Sequence, residues 1–290
     1  MRVVVTGSAG FIGGHVARAM KAGGHDVVGF DLQDGMQSEF KTTVGDLLDQ
    51  DRLIEAFQGA DVICHIGAIG DVYLAAKDPA LASSVNVTGS AHVGRAALAV
   101  GAKVVYASTW EVYGHPRYEP VDEDHPCEPD HPYNITKLAG ERVLISLGEL
   151  EGLPVVALRL GTAYGTGMRS NAVFRIFIDK ARKGEPLTIQ GDGSQGRQFT
   201  HVSDIARAFE LAAVSDVTGM PLNVVAREMV SIKQLADVVA QRFPTEVSFG
   251  DPRPGDVPPS YVSADRIEAT LGWKAAVEFE DGMAELLEEA

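Results

Sequence analysis

Thr6-Gly7-Ser8-Ala9-Gly10-Phe11-Ile12-Gly13 is the stretch whose reading decides the fold. It joins the β-branched run Val3-Val4-Val5 to a helical pattern from Phe11 to Met20, so it reads as a strand, a glycine turn and the start of a helix. Glycine permits φ > 0 in such a turn and lets a diphosphate approach the backbone without meeting a Cβ. The unpaired N–H groups and the positive dipole end of the helix face the same anion. The spacing is Gly-x-x-Gly-x-x-Gly and not the Gly-x-Gly-x-x-Gly of the common dehydrogenase fingerprint. Alone, it fits either a dinucleotide site or an ordinary strand-to-helix turn.

Working outward, the apolar run Asp26 to Phe30 ends in Asp31. A carboxylate at the end of a second strand accepts hydrogen bonds from both ribose hydroxyls of NAD and repels the 2′-phosphate of NADP, so NAD is favoured; the alternative is a solvated turn acid. Thr42 to Gly45 reads as a third strand leading into Asp46-Leu47, and Leu48 to Phe57 has helical spacing before Gly59. Asp61 to Ile66 is a fourth, buried strand. A long helical segment runs from about Pro79 to Val100 with Asn86 inside it, and Lys103 to Ala107 is a fifth strand. This alternation predicts an α/β fold with a doubly wound parallel sheet covered on both faces. His65, at a strand end with no second ligand at metal spacing, reads better as a packed or backbone-bonded histidine than as a ligand or base.

Composition narrows the function classes. The chain has 290 residues, a hydrophobic fraction of 45% and a net charge of −15. That charge argues against a nucleic-acid partner or an anionic membrane surface, both of which need a basic face. No apolar run approaches the roughly 20 residues that span a bilayer, and no signal peptide precedes the first strand, so a cytoplasmic location is expected. Cys64 and Cys127 have no metal-ligand or disulfide spacing, so no metal is expected and both thiols are expected free.

Chemistry enters at Ser108-Thr109-Trp110-Glu111-Val112-Tyr113-Gly114, directly after a strand and hence at the carboxyl edge of the sheet, where open α/β folds bind ligands. A proline- and acid-rich loop follows, and then Tyr133-Asn134-Ile135-Thr136-Lys137 opens a helix. Residues four apart share a helix face, so Tyr133 and Lys137 can reach one pocket. A tyrosine of ordinary pKa near ~10 is a poor base at neutral pH, but a fixed ammonium and a nicotinamide cation favour its phenolate. Tyr133 can then accept a proton from a substrate alcohol while hydride leaves carbon, with Thr109 bonded to the same oxygen.

In that order, these motifs resemble the extended short-chain dehydrogenase/reductases, and within them the NAD-dependent nucleotide-sugar epimerase/dehydratase family typified by UDP-glucose 4-epimerase. The matching residues are Thr6-Gly7-x-x-Gly10-Phe11-Ile12-Gly13, Asp31, Asp46-Leu47, His65-Ile66-Gly67-Ala68, Asn86-Val87-Thr88-Gly89, Ser108-Thr109-x-x-Val112-Tyr113-Gly114 and Tyr133-x-x-x-Lys137. The match continues through Arg159 to Gly165, Gly191 to Arg197, His201-Val202-x-Asp204 and Arg253-Pro254-Gly255-Asp256.

The resemblance implies a Rossmann-type NAD-binding domain over residues 1–165, with later segments near 198–215 returning to it. Residues 166–290 would then form a smaller, interleaved substrate lobe. It further implies cofactor contacts from Gly7, Gly10, Phe11, Ile12, Gly13, Asp31, Asp46, Leu47, Ile66, Ala68, Asn86, Tyr133 and Lys137. Thr109, Tyr133 and Lys137 would be catalytic, and the substrate would meet Thr109, Tyr133, Thr162, Asn171, Arg197 and Arg253. A homodimer is implied, joined through helices near 79–100 and 133–147.

Arginines suit a sugar-nucleotide diphosphate, because their planar forks match phosphate oxygens. In the second half, helices are expected over 171–183, 203–213, 232–243 and 264–271, and strands over 155–160, 187–189 and 222–225, before an acidic tail. Two positions depart from the family pattern. Thr162 stands where many relatives have Asn. Glu111, preceded by Trp110, occupies a place where dehydratases and decarboxylases carry an acid used near C5, and it reads as such a base or as a loop residue. The expected function is a UDP-sugar 4-epimerase; the alternatives are a 4,6-dehydratase or uronate decarboxylase using Glu111, and a catalytically silent NAD-binding sensor.

Overall fold

A computed structural model describes residues 1–35, 39–251 and 260–289. The first half alternates β1 (Arg2–Thr6), α1 (Phe11–Ala22), β2 (Asp26–Asp31), β3 (Lys41–Val44), α2 (Gln50–Phe57) and β4 (Val62–His65). Then come α3 (Val72–Lys77), α4 (Pro79–Ser83), α5 (Gly89–Val100), β5 (Lys103–Thr109) and α6 (Pro132–Glu151). The second half runs β6 (Val155–Leu160), β7 (Thr162–Tyr164), α7 (Val173–Arg182), β8 (Leu187–Gln190), β9 (Gly196–Arg197), β10 (Phe199–His201) and α8 (Val202–Val214). It closes with β11 (Met220–Val224), β12 (Val230–Ser231), α9 (Ile232–Arg242), β13 (Val247–Gly250), α10 (Asp265–Leu271) and α11 (Phe279–Glu289).

Seven strands form one parallel sheet in the order β11-β6-β5-β4-β1-β2-β3. Strand order reverses beside β1, and the carboxyl ends of β1 and β4 open there as a crevice, the usual ligand position in such sheets. Val3, Val4 and Val5 are all fully buried, as a strand covered on both faces requires. One apolar core lies between the sheet and α1 with α8, and includes Val16, Met20, Phe209 and Trp273. The other lies under α2, α5 and α6, and includes Leu53, Phe57, Val93 and Leu144. A third core gathers Tyr164, Phe174, Phe177, Ile189, Leu235 and Met283 from the later elements, forming the smaller lobe. The two lobes are interleaved, since β11 returns to the main sheet after β7 to β10 have left it.

Most expected elements are present with ends moved by one or two residues. Three differences have physical causes. The helix expected over 79–100 is interrupted by a wider π-type turn at Ser84–Thr88, which carries the buried Asn86. Such turns insert a residue into the hydrogen-bond ladder and turn one side chain aside. The six-residue α3 before it is held by the Asp71 carboxylate, which accepts from the N–H groups of Tyr73 and Leu74. The acidic tail is a helix, α11, whose Phe279, Met283, Leu286 and Leu287 are buried while its acids face solvent. Charge dominates its composition, but the apolar spacing of one face decides its structure.

Candidate active site

The glycine turn takes the form its spacing requires. Gly7 has φ +71°, and a Cβ there would lie 2.7 Å from Gly67, at the end of the adjacent strand. A Cβ on Gly13 would lie 2.0 Å from the Gly7 carbonyl oxygen, so the helix can approach the turn only because that atom is missing. Gly10 caps α1 with no side chain bonded to the first-turn N–H groups, and Phe11 and Ile12 open the helix. Asp31 closes the turn from β2, its Oδ2 accepting the Ala9 N–H at 3.0 Å. The Asp46 carboxylate accepts the Leu48 N–H at 3.0 Å, and Leu47 is buried beside Gly67 and Gly89. Ile66 and Ala68 follow β4 on a half-buried loop, whose Ile66 and Gly67 N–H groups both donate to Thr6 Oγ1 at 3.1 Å. An open helix end, a backbone concavity that a Cβ would fill and a flanking acid together fit a dinucleotide.

His65 is a packed histidine, bonded to hydroxyls and not to backbone. Its Nδ1 is 2.8 Å from Thr6 Oγ1 and its Nε2 3.0 Å from Ser90 Oγ. Burial lowers its pKa to about 3. Asn86 is fully engaged by the protein: Oδ1 accepts the Ile69 N–H at 2.8 Å, and Nδ2 donates to Ile69 O at 3.2 Å and Thr136 Oγ1 at 3.0 Å. It thereby ties the loop after β4 to α6, between Tyr133 and Lys137.

The structure brings Thr109, Tyr133 and Lys137 to the carboxyl edge of the sheet. Thr109 ends β5, buried, with its hydroxyl beside the Tyr133 phenol, where it favours the phenolate. Tyr133 sits in the first turn of α6, which His131 caps and Pro132 enters. Burial raises the Tyr133 pKa, and the Glu111 carboxylate adds to the rise, while Arg169 and the Thr109 hydrogen bond oppose it. Lys137, 3% exposed, holds its ammonium 4.2 Å from the centre of the Tyr106 ring. Burial drives it down to about 7, against the pull of Glu141. The phenol is therefore neutral here, and positive charge from Lys137 and a bound cation would favour its ionisation.

Glu111 lies in a short 3₁₀ turn, Trp110–Tyr113, immediately after Thr109. Burial raises its pKa; Arg197 opposes this and Asp130 assists it. A small cavity beside it is lined by Trp110, Thr162, Arg197, Gln198 and Ser260. Thr162 and Arg197 are thus together, while Asn171 is not with them: its Nδ2 donates to Asp71 Oδ2 at 3.0 Å, and Arg169 Nη1 meets the same oxygen at 3.1 Å. Arg253 lies outside the described residues. Arg169 and Asp71 carried no recognisable signal, because both stand in irregular loops that only tertiary packing joins. Ser108 turns away from the cavity, onto Glu141. Among the described residues no group of His, Cys, Asp and Glu could hold a metal ion, and no helix is long and apolar enough to cross a membrane.

A doubly wound parallel sheet, a glycine phosphate turn and a Thr-Tyr-Lys group at the carboxyl edge define a nicotinamide-dependent enzyme of Rossmann type. The family model for the NAD dependent epimerase/dehydratase family matches residues 3–224, and the chain belongs to that family, with NAD as its cofactor. It is 33% identical to UDP-glucose 4-epimerase of Mycolicibacterium smegmatis, over 99% of this chain and 98% of that protein. It is 31% identical to a putative UDP-glucose 4-epimerase of Methanocaldococcus jannaschii, over 97% of this chain and 95% of that one. The crystal structure of Thermus thermophilus UDP-glucose 4-epimerase in complex with NAD superposes with a TM-score of 0.89 at 31% identity, covering 99% of this chain and 98% of that chain. The class is therefore an enzyme of nucleotide-sugar chemistry that works with NAD.

Proposed function

We propose that this chain is a UDP-sugar 4-epimerase acting by transient oxidation at C4. The observation that carries the reading is the placing of Thr109 at the end of β5 and of Tyr133 and Lys137 one helical turn apart on α6, against the sheet whose β1 carries the glycine turn, supported by the full-length likeness to proteins named UDP-glucose 4-epimerases. When bound, NAD supplies a ring that takes hydride from C4 and gives it back. Tyr133 takes the C4 hydroxyl proton as that hydride leaves and returns it as the hydride comes back to the other face. Thr109 holds the same oxygen, and the Lys137 ammonium stabilises the phenolate. Gly7, Gly10 and Gly13 receive the cofactor diphosphate, and Asp31 its ribose. Thr162, Arg197 and Arg253 hold the sugar nucleotide. Incubation of the purified protein with UDP-galactose and other UDP-sugars gives the C4 epimer without added NAD; absence of an epimer from all of them refutes the proposal.

One observation favours a second reaction. Glu111 stands close enough to the Tyr133 phenol and the Arg197 guanidinium to act on both electrostatically, and burial raises its pKa, the direction that favours a carboxyl group taking part in proton transfer. A dehydratase or uronate decarboxylase would use this carboxylate at C5. Glu111→Gln abolishes turnover in that case and leaves most of it in an epimerase.

The same proposal includes a homodimer. Leu74 and Tyr73 on α3, Leu81 on α4 and Ile135 on α6 are exposed apolar side chains on helices that pack against one another. Sedimentation as a dimer that Ile135→Glu dissociates supports it, and a monomer at micromolar concentration refutes it.

A further inference from the structure

Glu141 is a fully buried carboxylate in the apolar core beneath α6. It lies one helical turn beyond Lys137 and on the same face. Its Oε2 accepts from Ser108 Oγ at 2.5 Å and from Arg159 Nε at 3.2 Å, and its Oε1 accepts from Arg159 Nη2 at 2.6 Å. Arg159, on β6 and 2% exposed, donates through Nη1 to the Tyr113 hydroxyl at 2.9 Å. Tyr113 in turn donates to Asn223 Oδ1, on β11, at 2.7 Å. One network therefore fastens α6 to three strands of the sheet. Stability alone does not account for it, because a buried ion pair is commonly no more stable than an apolar pair of the same volume.

The placement gives it a use. Ser108 immediately precedes Thr109, so its anchor on Glu141 fixes the end of β5 against the helix that carries Tyr133 and Lys137. The titratable groups placed against the Lys137 ammonium are His65 on β4, Tyr106 on β5 and Glu141 on α6. His65 and the Tyr106 phenol are neutral at rest, which leaves the Glu141 carboxylate as the negative charge among them. Arg159 is bonded to that carboxylate, yet it is Glu141 that acts on Lys137, opposing the loss of its proton on burial.

We propose that Glu141 is a positioning residue for the reaction: through Ser108 it holds Thr109 in register with Tyr133, and one helical turn beyond Lys137 it sets a buried carboxylate against that side chain's ammonium. This rests on the roles given above to Thr109, Tyr133 and Lys137. A neutral residue at 141 would let Lys137 lose its proton at lower pH and would make the Tyr133 phenolate harder to form.

The test compares Glu141→Gln with the double variant Glu141→Gln/Arg159→Met, which leaves no stranded guanidinium, and with Ser108→Ala and Glu141→Asp. In the double variant the alkaline limb of the kcat profile moves down by about one pH unit or more, and kcat falls by about 10-fold or more, while KM for the UDP-sugar stays within about twofold. Glu141→Asp keeps the charge and restores the position of that limb. Ser108→Ala lowers kcat with the limb unmoved. Ionisation of Tyr133 in the NAD complex, read as phenolate absorbance against Tyr133→Phe, moves to higher pH in the double variant. This last readout needs no turnover, so it answers even if no UDP-sugar is a substrate. A folded, NAD-binding double variant with unchanged limb and unchanged Tyr133 ionisation overturns the electrostatic role. An unchanged kcat in Ser108→Ala overturns the positioning role, and that variant removes only one hydroxyl if the double variant does not fold.

Discussion

Acid should unfold this protein in part through one histidine. His65 is fully buried between Thr6 and Ser90, and its pKa falls from 6.5 to about 3, first through burial and second through the nearby Lys137 charge. Between those values the unfolded chain binds the proton and the native chain does not. Stability from this group is therefore complete above about pH 6.5 and is lost as the pH falls toward about 3. At 1.36 kcal/mol per factor of ten, the full contribution is about 5 kcal/mol, most of it lost by about pH 4. That is comparable to the whole stability of many domains, roughly 5–15 kcal/mol. Urea unfolding at intervals from pH 7 to pH 4 measures it, with His65→Asn as the comparison. The variant should be weaker at pH 7 by about 1–3 kcal/mol, having lost buried hydrogen bonds, but should lose much less on acidification. The other buried carboxyls titrate alike in both proteins and cancel in the difference. Parallel loss of stability in the two proteins would falsify the reasoning.

Three further outcomes follow from the site. Gly13→Ala places a Cβ against the Gly7 carbonyl, and should cost about 2 kcal/mol or more and weaken NAD binding at least about tenfold by calorimetry. Gly70→Ala, with nothing within 4 Å, is its harmless control. Tyr133→Phe should lower kcat by about 10²–10⁴-fold while NAD affinity stays near wild type; retained turnover would remove Tyr133 as the base. Asp31→Ser should narrow the preference for NAD over NADP by about tenfold in a binding titration, and an unchanged ratio would show that Asp31 serves the turn alone.

The central sheet was legible because its signal is local. Strands buried on both faces must be apolar throughout, and β1, β4, β5 and β6 each stand out as short β-branched runs between turn residues. The same holds for α6, whose entry at His131-Pro132 and exit at Gly152 are written in cap residues. Asn86, by contrast, is visible as one residue of a motif, but its partners Ile69 and Thr136 are distant in sequence, and nothing nearby announces them. Asn171 likewise has a partner that its own neighbourhood does not announce, since its amide bonds Asp71, 100 residues away. The tail was misread because its acids outnumber the four apolar residues that dock it.

By itself, the sequence determined the alternation of strands and helices, the glycine turn with its acid at the next strand end, and the pairing of Tyr133 with Lys137 one turn later. Each depends on backbone geometry over a few residues, and residues that close in sequence fix their own relation. Only the tertiary structure decided that Thr109 meets the Tyr133 phenol, that Ser108 turns to Glu141 instead of the cavity, and that Glu141 and Arg159 are buried as a pair beneath Lys137. Those relations join β5, α6 and β6, whose separation is set by how side chains fill the space between sheet and helix. A carboxylate and a guanidinium ordinarily belong in solvent, and only packing that removes water can turn them into the support of an active site.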